Sequence, residues 1–237
     1  MATGISRCYR AVACVLRPIV SAMTRKDWHG EANLPRDTGY IAVSNHVSYA
    51  DPITFAHFLY NNGHPPRFLA KSSLFDIPIA GKLLRNLDQI PVYRGTKRAR
   101  DALDMGAVAL DRGDMIAVFP EGTLTKDPQM WPMVARTGAA RMALEQNVPV
   151  IPIAQWGAHE LLSPYSKVLK PFPRKKITVI AGPPVDLDEF RGKPIDSVLL
   201  RAATNKIMAT LTSMLEDIRG ESAPAEPFNM RDRKRDQ

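Results

Sequence analysis

Residues 44–52 read SNHVSYADP, placing a histidine five positions before an aspartate that precedes a proline. An imidazole held by a carboxylate through one ring nitrogen can accept a proton at the other, the base half of a hydrolase triad. The same letters also have a plain reading. Proline is favoured at the first helical position and disfavours helical dihedrals before it, so Asp51 is a good N-cap for the run PITFAHFLYNN. A carboxylate has enough lone pairs for both roles, one oxygen capping the helix and the other holding His46. Were residues 46–51 helical, the two side chains would stand about 140° apart. With the helix starting at Pro52, residues 47–50 can fold back and let them meet. No G-x-S-x-G elbow occurs, and Ser48 lies inside the motif itself. A His–Asp pair without a protein nucleophile points to a substrate hydroxyl attacking an activated acyl group. His57 and His64 read as structural or exposed residues.

Two further stretches carry polar chemistry. In VFPEGTLT (118–125), an apolar run ends in a tight turn. Gly122 allows close backbone approach, its neighbouring amides suit an anion, and Glu121 suits a polyol; the alternative is a routine turn. In IPVYRGTKR (90–98), Arg94 directly follows an apolar run, and Lys97, Arg98 and Arg100 crowd the next turn. An arginine at a strand end can grip phosphate through two parallel hydrogen bonds, and Lys71, closing the run RFLAK, can converge on it. The alternative for the other three cations is a solvated helix start.

The elements that must position these residues alternate. Apolar runs at 40–44, 67–71, 88–93, 114–120, 148–156 and 175–182 read as strands. Helical patterns at 52–62, 73–86, 96–112 and 133–146 lie between them, and a last helix spans 195–219. Gly113 stands where a helix is expected to end. The expectation is an α/β fold: one domain with a largely parallel central sheet flanked by helices, the arrangement that binds ligands at strand carboxyl ends. Residues 1–30 read as an N-terminal amphipathic docking segment, 31–219 as the catalytic domain and 220–237 as a disordered, proline-containing polar tail.

With 237 residues, 45% hydrophobic and 24% charged, the chain can bury a core without staples. A net charge of +8 favours an anionic partner. Aromatic residues are 7%, and no basic stretch interleaves with aromatics as single-strand nucleic-acid binders require, so a lipid or phosphorylated partner is favoured over nucleic acid. Cys8 and Cys14 have no zinc spacing and no disulfide framework. No apolar run is long enough to span a bilayer; the nearest, YRAVACVLRPIVSAM, is interrupted by Arg17 and Pro18. It reads as a basic amphipathic helix lying in a membrane interface, or one packed on the domain with its arginines in water.

Together and in order, these stretches resemble the 1-acylglycerol-3-phosphate O-acyltransferases, the lysophospholipid acyltransferases of the PlsC type. Asn45, His46 and Asp51 match the first motif; Arg94 matches the second; Phe119 to Thr123 match the third; VPVIPI at 148–153 matches the fourth. The resemblance covers roughly residues 5–185. It implies His46 as general base and Asp51 as its orienter. It implies that Arg94, Glu121, Gly122 and Thr123 bind the glycerol phosphate, with Lys71 as a weaker participant, and that Ile151 and Pro152 line the acyl site. It further implies an acyl-CoA or acyl-ACP donor, no metal or other cofactor, and a peripheral position on the cytosolic leaflet. Leu124 stands where arginine is common, Arg136 where lysine is common, and Tyr93 where an acidic or polar residue is usual. These departures keep other acceptors open: glycerol 3-phosphate, another lysophospholipid or a glycolipid. The alternatives of another class are a non-catalytic membrane-binding protein, a metal hydrolase using His46, Asp51 and Glu121, and a nucleic-acid binder.

Overall fold

The computed structural model describes residues 5–93 and 100–230. Their elements run α1 (Arg7–Met23), β1 (Thr24–His29), β2 (Tyr40–Val43), α2 (Asp51–Asn61), β3 (Arg67–Lys71), α3 (Pro78–Asn86) and β4 (Ile90–Val92). Then follow α4 (Asp101–Asp111), β5 (Met115–Val118), α5 (Gly138–Glu145), β6 (Val150–Trp156), α6 (Ala158–Leu161), β7 (Lys175–Ala181) and α7 (Ser197–Arg219). Seven strands form one sheet in the order β1-β7-β6-β2-β5-β3-β4. The last five in that order are mutually parallel; β7 is antiparallel to β6, and β1 lies parallel to β7 at the edge.

The central strands are buried on both faces, as an α/β sheet covered by helices requires. Along β2, Ile41 and Val43 join a core with α4, α5 and α7, whereas Tyr40 and Ala42 join one with Phe55, Phe58 and Leu59 of α2. This alternation is the two-residue pleat of a strand. Gly113 follows the end of α4 with φ +80°, the left-handed conformation that terminates a helix.

Three expectations need correction. β1 was not expected, because TRKDWH is polar and only Thr24 in it is buried. It is an edge strand held by its partner: Asp27 accepts from Thr178 (2.8 Å) and pairs with Lys176 (2.9 Å) on β7. The helical pattern at 133–146 yields a helix only from Gly138. The backbone before it is engaged elsewhere, with Met133 N donating to Glu121 and Arg136 N to Pro120 O. The tail also departs from the expectation of disorder over its described part: Val134 N donates to Phe228 O (3.0 Å) and Ala223 N to the Glu216 carboxylate (2.7 Å).

α1 continues through Pro18, with Ser6 capping its first turn by accepting from Tyr9 N (3.0 Å). It packs on α2. Among the described residues no helix is long and apolar enough to cross a membrane.

Candidate active site

β2 ends at Val43 in the middle of the sheet, and the chain turns sharply over residues 44–50 before α2. What bends it is Asp51. Its Oδ2 accepts from Val47 N (2.6 Å), Ser48 N (2.7 Å) and the ring Nδ1 of His46 (3.0 Å). The expected division of labour between the two oxygens is therefore corrected. Asp51 is the first residue of α2, not its cap, and one oxygen serves all three donors while the helix follows Ala50. Oδ1 is buried without a partner among the described residues.

The turn is fastened to its surroundings. Asn45 donates to Gln155 O (2.9 Å) and accepts from Gln155 N (3.0 Å), clamping it to β6. Thr125 N donates to His46 O (2.7 Å). The His46 ring stacks on Phe119 with centroids 4.2 Å apart and planes 20° from parallel. The Asp51 carboxylate fixes the tautomer, because an acceptor at Nδ1 places the proton there and leaves the Nε2 lone pair free. Nε2 has no hydrogen-bond partner among the described residues, and the side chain keeps 14% of its surface open while Asp51 keeps none. The result is an imidazole held in one orientation with its Nε2 unoccupied.

The other expected site residues separate into groups. Glu121 is not on the surface of the site. It is buried, accepting His46 N at Oε1 (3.2 Å) and Met133 N at Oε2 (2.9 Å). Burial pushes its carboxyl up to about 8, against the pull of those two amides. Those bonds staple the turn holding His46 to the loop after β5, and both carboxylate oxygens, expected to meet a polyol, are engaged with backbone amides. Gly122, with φ +75°, takes the left-handed conformation that its position in the turn demands. It lines a cavity of about 270 Å³ with Leu69, Phe119, Arg136 and Arg141. Thr123 is half-buried beside it, and Lys71 is exposed at the end of β3, on the same carboxyl edge of the sheet. Arg94, Lys97 and Arg98 lie outside the described residues.

Ile151 and Pro152 are not brought to the site. Ile151 is fully buried in the sheet core on β6, and Pro152 O accepts from Gly182 N (2.8 Å) in the same sheet. The apolar space lies elsewhere. A cavity of about 250 Å³ runs between α1 and α2, lined by Ala13, Leu16 and Val20 from one and Pro52, Ile53 and Ala56 from the other. Pro52 and Ile53 directly follow Asp51 in the chain, although neither Asp51 nor His46 lines the cavity itself. The amphipathic stripe of α1 was legible in sequence; that its inner side would wall a cavity with α2 was not.

Arg136 was noted in the sequence only as a departure from lysine. It stands exposed at the rim of the Gly122 cavity, and its side chain has no ion pair among the described residues. Among those residues no cluster of three His, Cys, Asp or Glu side chains is disposed to hold a metal ion. Glu121 faces the backbone of His46, not its ring, so the three groups do not converge on one point.

Comparisons with known proteins identify the family and the fold. The family model described as Acyltransferase matches residues 25–156. A chloroplastic 1-acyl-sn-glycerol-3-phosphate acyltransferase of Brassica napus is 31% identical over 183 residues, covering 74% of this chain and 52% of the relative. A protein of the same name from Bacillus subtilis is 24% identical over 212 residues, 89% of this chain and 100% of the relative. The chain thus spans about half the length of the plant relative and all of the bacterial one. The crystal structure of the 1-acyl-sn-glycerophosphate (LPA) acyltransferase PlsC from Thermotoga maritima shares the fold, with a TM-score of 0.65 at 22% identity, covering 91% of this chain and 83% of that one.

Proposed function

This chain belongs to the acyltransferase family, and we propose that it moves a fatty acyl group from a thioester donor, acyl-CoA or acyl-ACP, to the free hydroxyl of 1-acyl-glycerol-3-phosphate, giving phosphatidate. The observation that carries this reading is the His46–Asp51 pair with its unoccupied Nε2, held at the carboxyl edge of the parallel strands. The relatives' names supply the acceptor.

In the proposed reaction, His46 Nε2 takes the proton of the acceptor hydroxyl as that oxygen attacks the thioester carbonyl. The tetrahedral intermediate collapses with cleavage of the carbon–sulfur bond, and the imidazolium returns its proton to the departing thiolate. Asp51 stabilises the imidazolium and keeps the ring turned. Glu121 and Asn45 position the turn. The acceptor's phosphate is assigned to Arg94 by its motif, with Lys71, Gly122, Thr123 and Arg136 at the same edge. The acyl chain is assigned to the α1–α2 cavity, whose wall is apolar and of a size suited to a chain segment. Neither metal nor cofactor enters the scheme. Residues 1–30 are assigned to docking on the cytosolic leaflet as a peripheral contact, and 31–219 to catalysis.

The test is thiol release from oleoyl-CoA and palmitoyl-CoA, and disappearance of acyl-ACP, with lysophosphatidate, glycerol 3-phosphate, other lysophospholipids or no acceptor. Release that depends on lysophosphatidate supports the assignment. Release that depends on a different acceptor instead would move the substrate while keeping the chemistry, and acceptor-independent release would point to a hydrolase.

A further inference from the structure

The loop joining α6 to β7, residues 162–174, takes no part in the chemistry above, yet it stands beside it. Because β7 runs antiparallel to β6, its amino end lies at the sheet edge where β2 delivers His46. The loop is fastened there. Ser48 Oγ donates to Leu162 O (2.5 Å), and the Tyr165 hydroxyl donates to Thr125 O (2.7 Å), so it grips both segments that flank His46. A single antiparallel bridge, Leu162 to Leu169, closes its base. Arg174 donates to the carbonyls of Ser21 (2.8 Å) and Thr24 (2.6 Å), tying it to the end of α1.

What this anchored loop presents to solvent is apolar and basic. Val168, Leu169 and Phe172 are 64%, 48% and 72% exposed. Lys167 and Lys170 are exposed, with no ion pair among the described residues. Residues 161–185 contain five basic side chains and no acidic one. About half or more of each of these three apolar side chains stays in water, at a cost that burial in an apolar phase removes. Lysines at their flanks suit the phosphates of that phase's surface, with their stems lying along its apolar boundary. Duplex nucleic acid offers the lysines phosphates, but it takes up side chains such as Val168, Leu169 and Phe172 only by unstacking base steps, a cost that a bilayer interface does not carry. Val15, Leu16 and Ile19 of α1 are exposed as well.

We propose that the 162–174 loop is a second membrane contact, in addition to α1, which inserts Val168, Leu169 and Phe172 into an anionic bilayer interface while Lys167 and Lys170 meet its phosphates. Two contacts fix an orientation that one amphipathic helix leaves free to roll, and here they turn the edge carrying His46 toward the lipid. The inference deepens the reading of an acyltransferase working on a bilayer lipid, but its test requires no turnover.

The test is co-sedimentation of the full chain with vesicles of phosphatidylcholine alone, or of equimolar phosphatidylcholine and phosphatidylglycerol. Val168→Ser with Phe172→Ser should weaken binding to both compositions by about tenfold or more. Lys167→Glu with Lys170→Glu should weaken binding to the anionic vesicles by at least about fivefold per lysine and leave zwitterionic binding nearly unchanged. The positions are exposed, so unfolding midpoints should match wild type. His46→Ala protein should bind vesicles as wild type does, which separates this test from the catalytic one. Vesicle binding unaltered by both loop variants would overturn the proposal. So would a loss of duplex-DNA binding in the lysine variant with vesicle binding intact.

Discussion

Replacing Asp51 by Asn isolates the charge behind His46. The asparagine carbonyl can occupy the place of Oδ2 and still accept from Val47 N, Ser48 N and His46 Nδ1. What disappears is the negative charge facing the imidazolium that forms when the acceptor loses its proton. With charge centres about 4 Å apart and an effective dielectric constant of about 20, that interaction amounts to about 4 kcal/mol. At about 1.4 kcal/mol per decade, kcat should fall on the order of 10³-fold. The new amide nitrogen takes the place of Oδ1, which is buried without a partner, so stability should also fall by about 1–3 kcal/mol. The assay is thiol release at saturating donor and acceptor, on protein shown by its unfolding curve to be fully folded. The loss should fall on kcat, with the KM of the acceptor little changed. A folded Asp51→Asn protein within about fivefold of wild-type kcat would refute the assignment of Asp51 as the electrostatic partner of the base.

Three other predictions follow from the same structure. Glu121 has its carboxyl pushed up to about 8 from 4.5, so the folded state keeps a proton that the unfolded chain sheds. Its stabilising effect is fully present below 4.5 and is lost as pH rises toward 8, at a slope approaching about 1.4 kcal/mol per pH unit. His57, which burial pushes down to about 4 from 6.5, contributes the opposite slope between those values. The stability of Glu121→Gln minus that of wild type, measured by urea unfolding, should therefore rise from pH 5 to 8; a flat difference would contradict it. Ala56→Trp fills part of the α1–α2 cavity and should shift preference toward shorter acyl donors; an unchanged ratio of palmitoyl-CoA to octanoyl-CoA turnover would remove the cavity from the acyl site. The guanidinium of Arg219 lies between Trp131 (3.7 Å) and Trp156 (4.4 Å) and donates to Gln129 O (3.0 Å). Arg219→Ala should lower stability by about 2–4 kcal/mol in the same urea assay, and Arg219→Lys should restore only part of it.

The parts of this protein legible in its sequence are those that local physics decides. β3 is found with its bounds intact, because RFLAK is a short apolar run between turn residues. The His46–Asp51 pairing follows from a helix that has to begin near Pro52. What could not be read depends on contacts distant along the chain. β1 is polar and becomes a strand only by pairing with β7, some 150 residues later in the chain. Glu121 looks like a surface acceptor until the amides of His46 and Met133 are brought to it from both sides. Ile151 and Pro152 lie in a recognisable motif, but a strand at the centre of a sheet is covered on both faces. The apolar cavity needs α1 laid against α2, a docking that neither helix's own pattern specifies. The clamp between Asn45 and Gln155 spans 110 residues, and nothing in either local sequence announces it.

The central claim is that His46 removes the proton of the acceptor hydroxyl. The most direct measurement is phosphatidate formation from lysophosphatidate and oleoyl-CoA by wild type and His46→Ala, with vesicle binding and unfolding midpoints recorded for both. The account predicts that the variant folds, binds vesicles and loses kcat by about 10² or more. A folded, membrane-bound His46→Ala protein that still forms phosphatidate at close to the wild-type rate would contradict it.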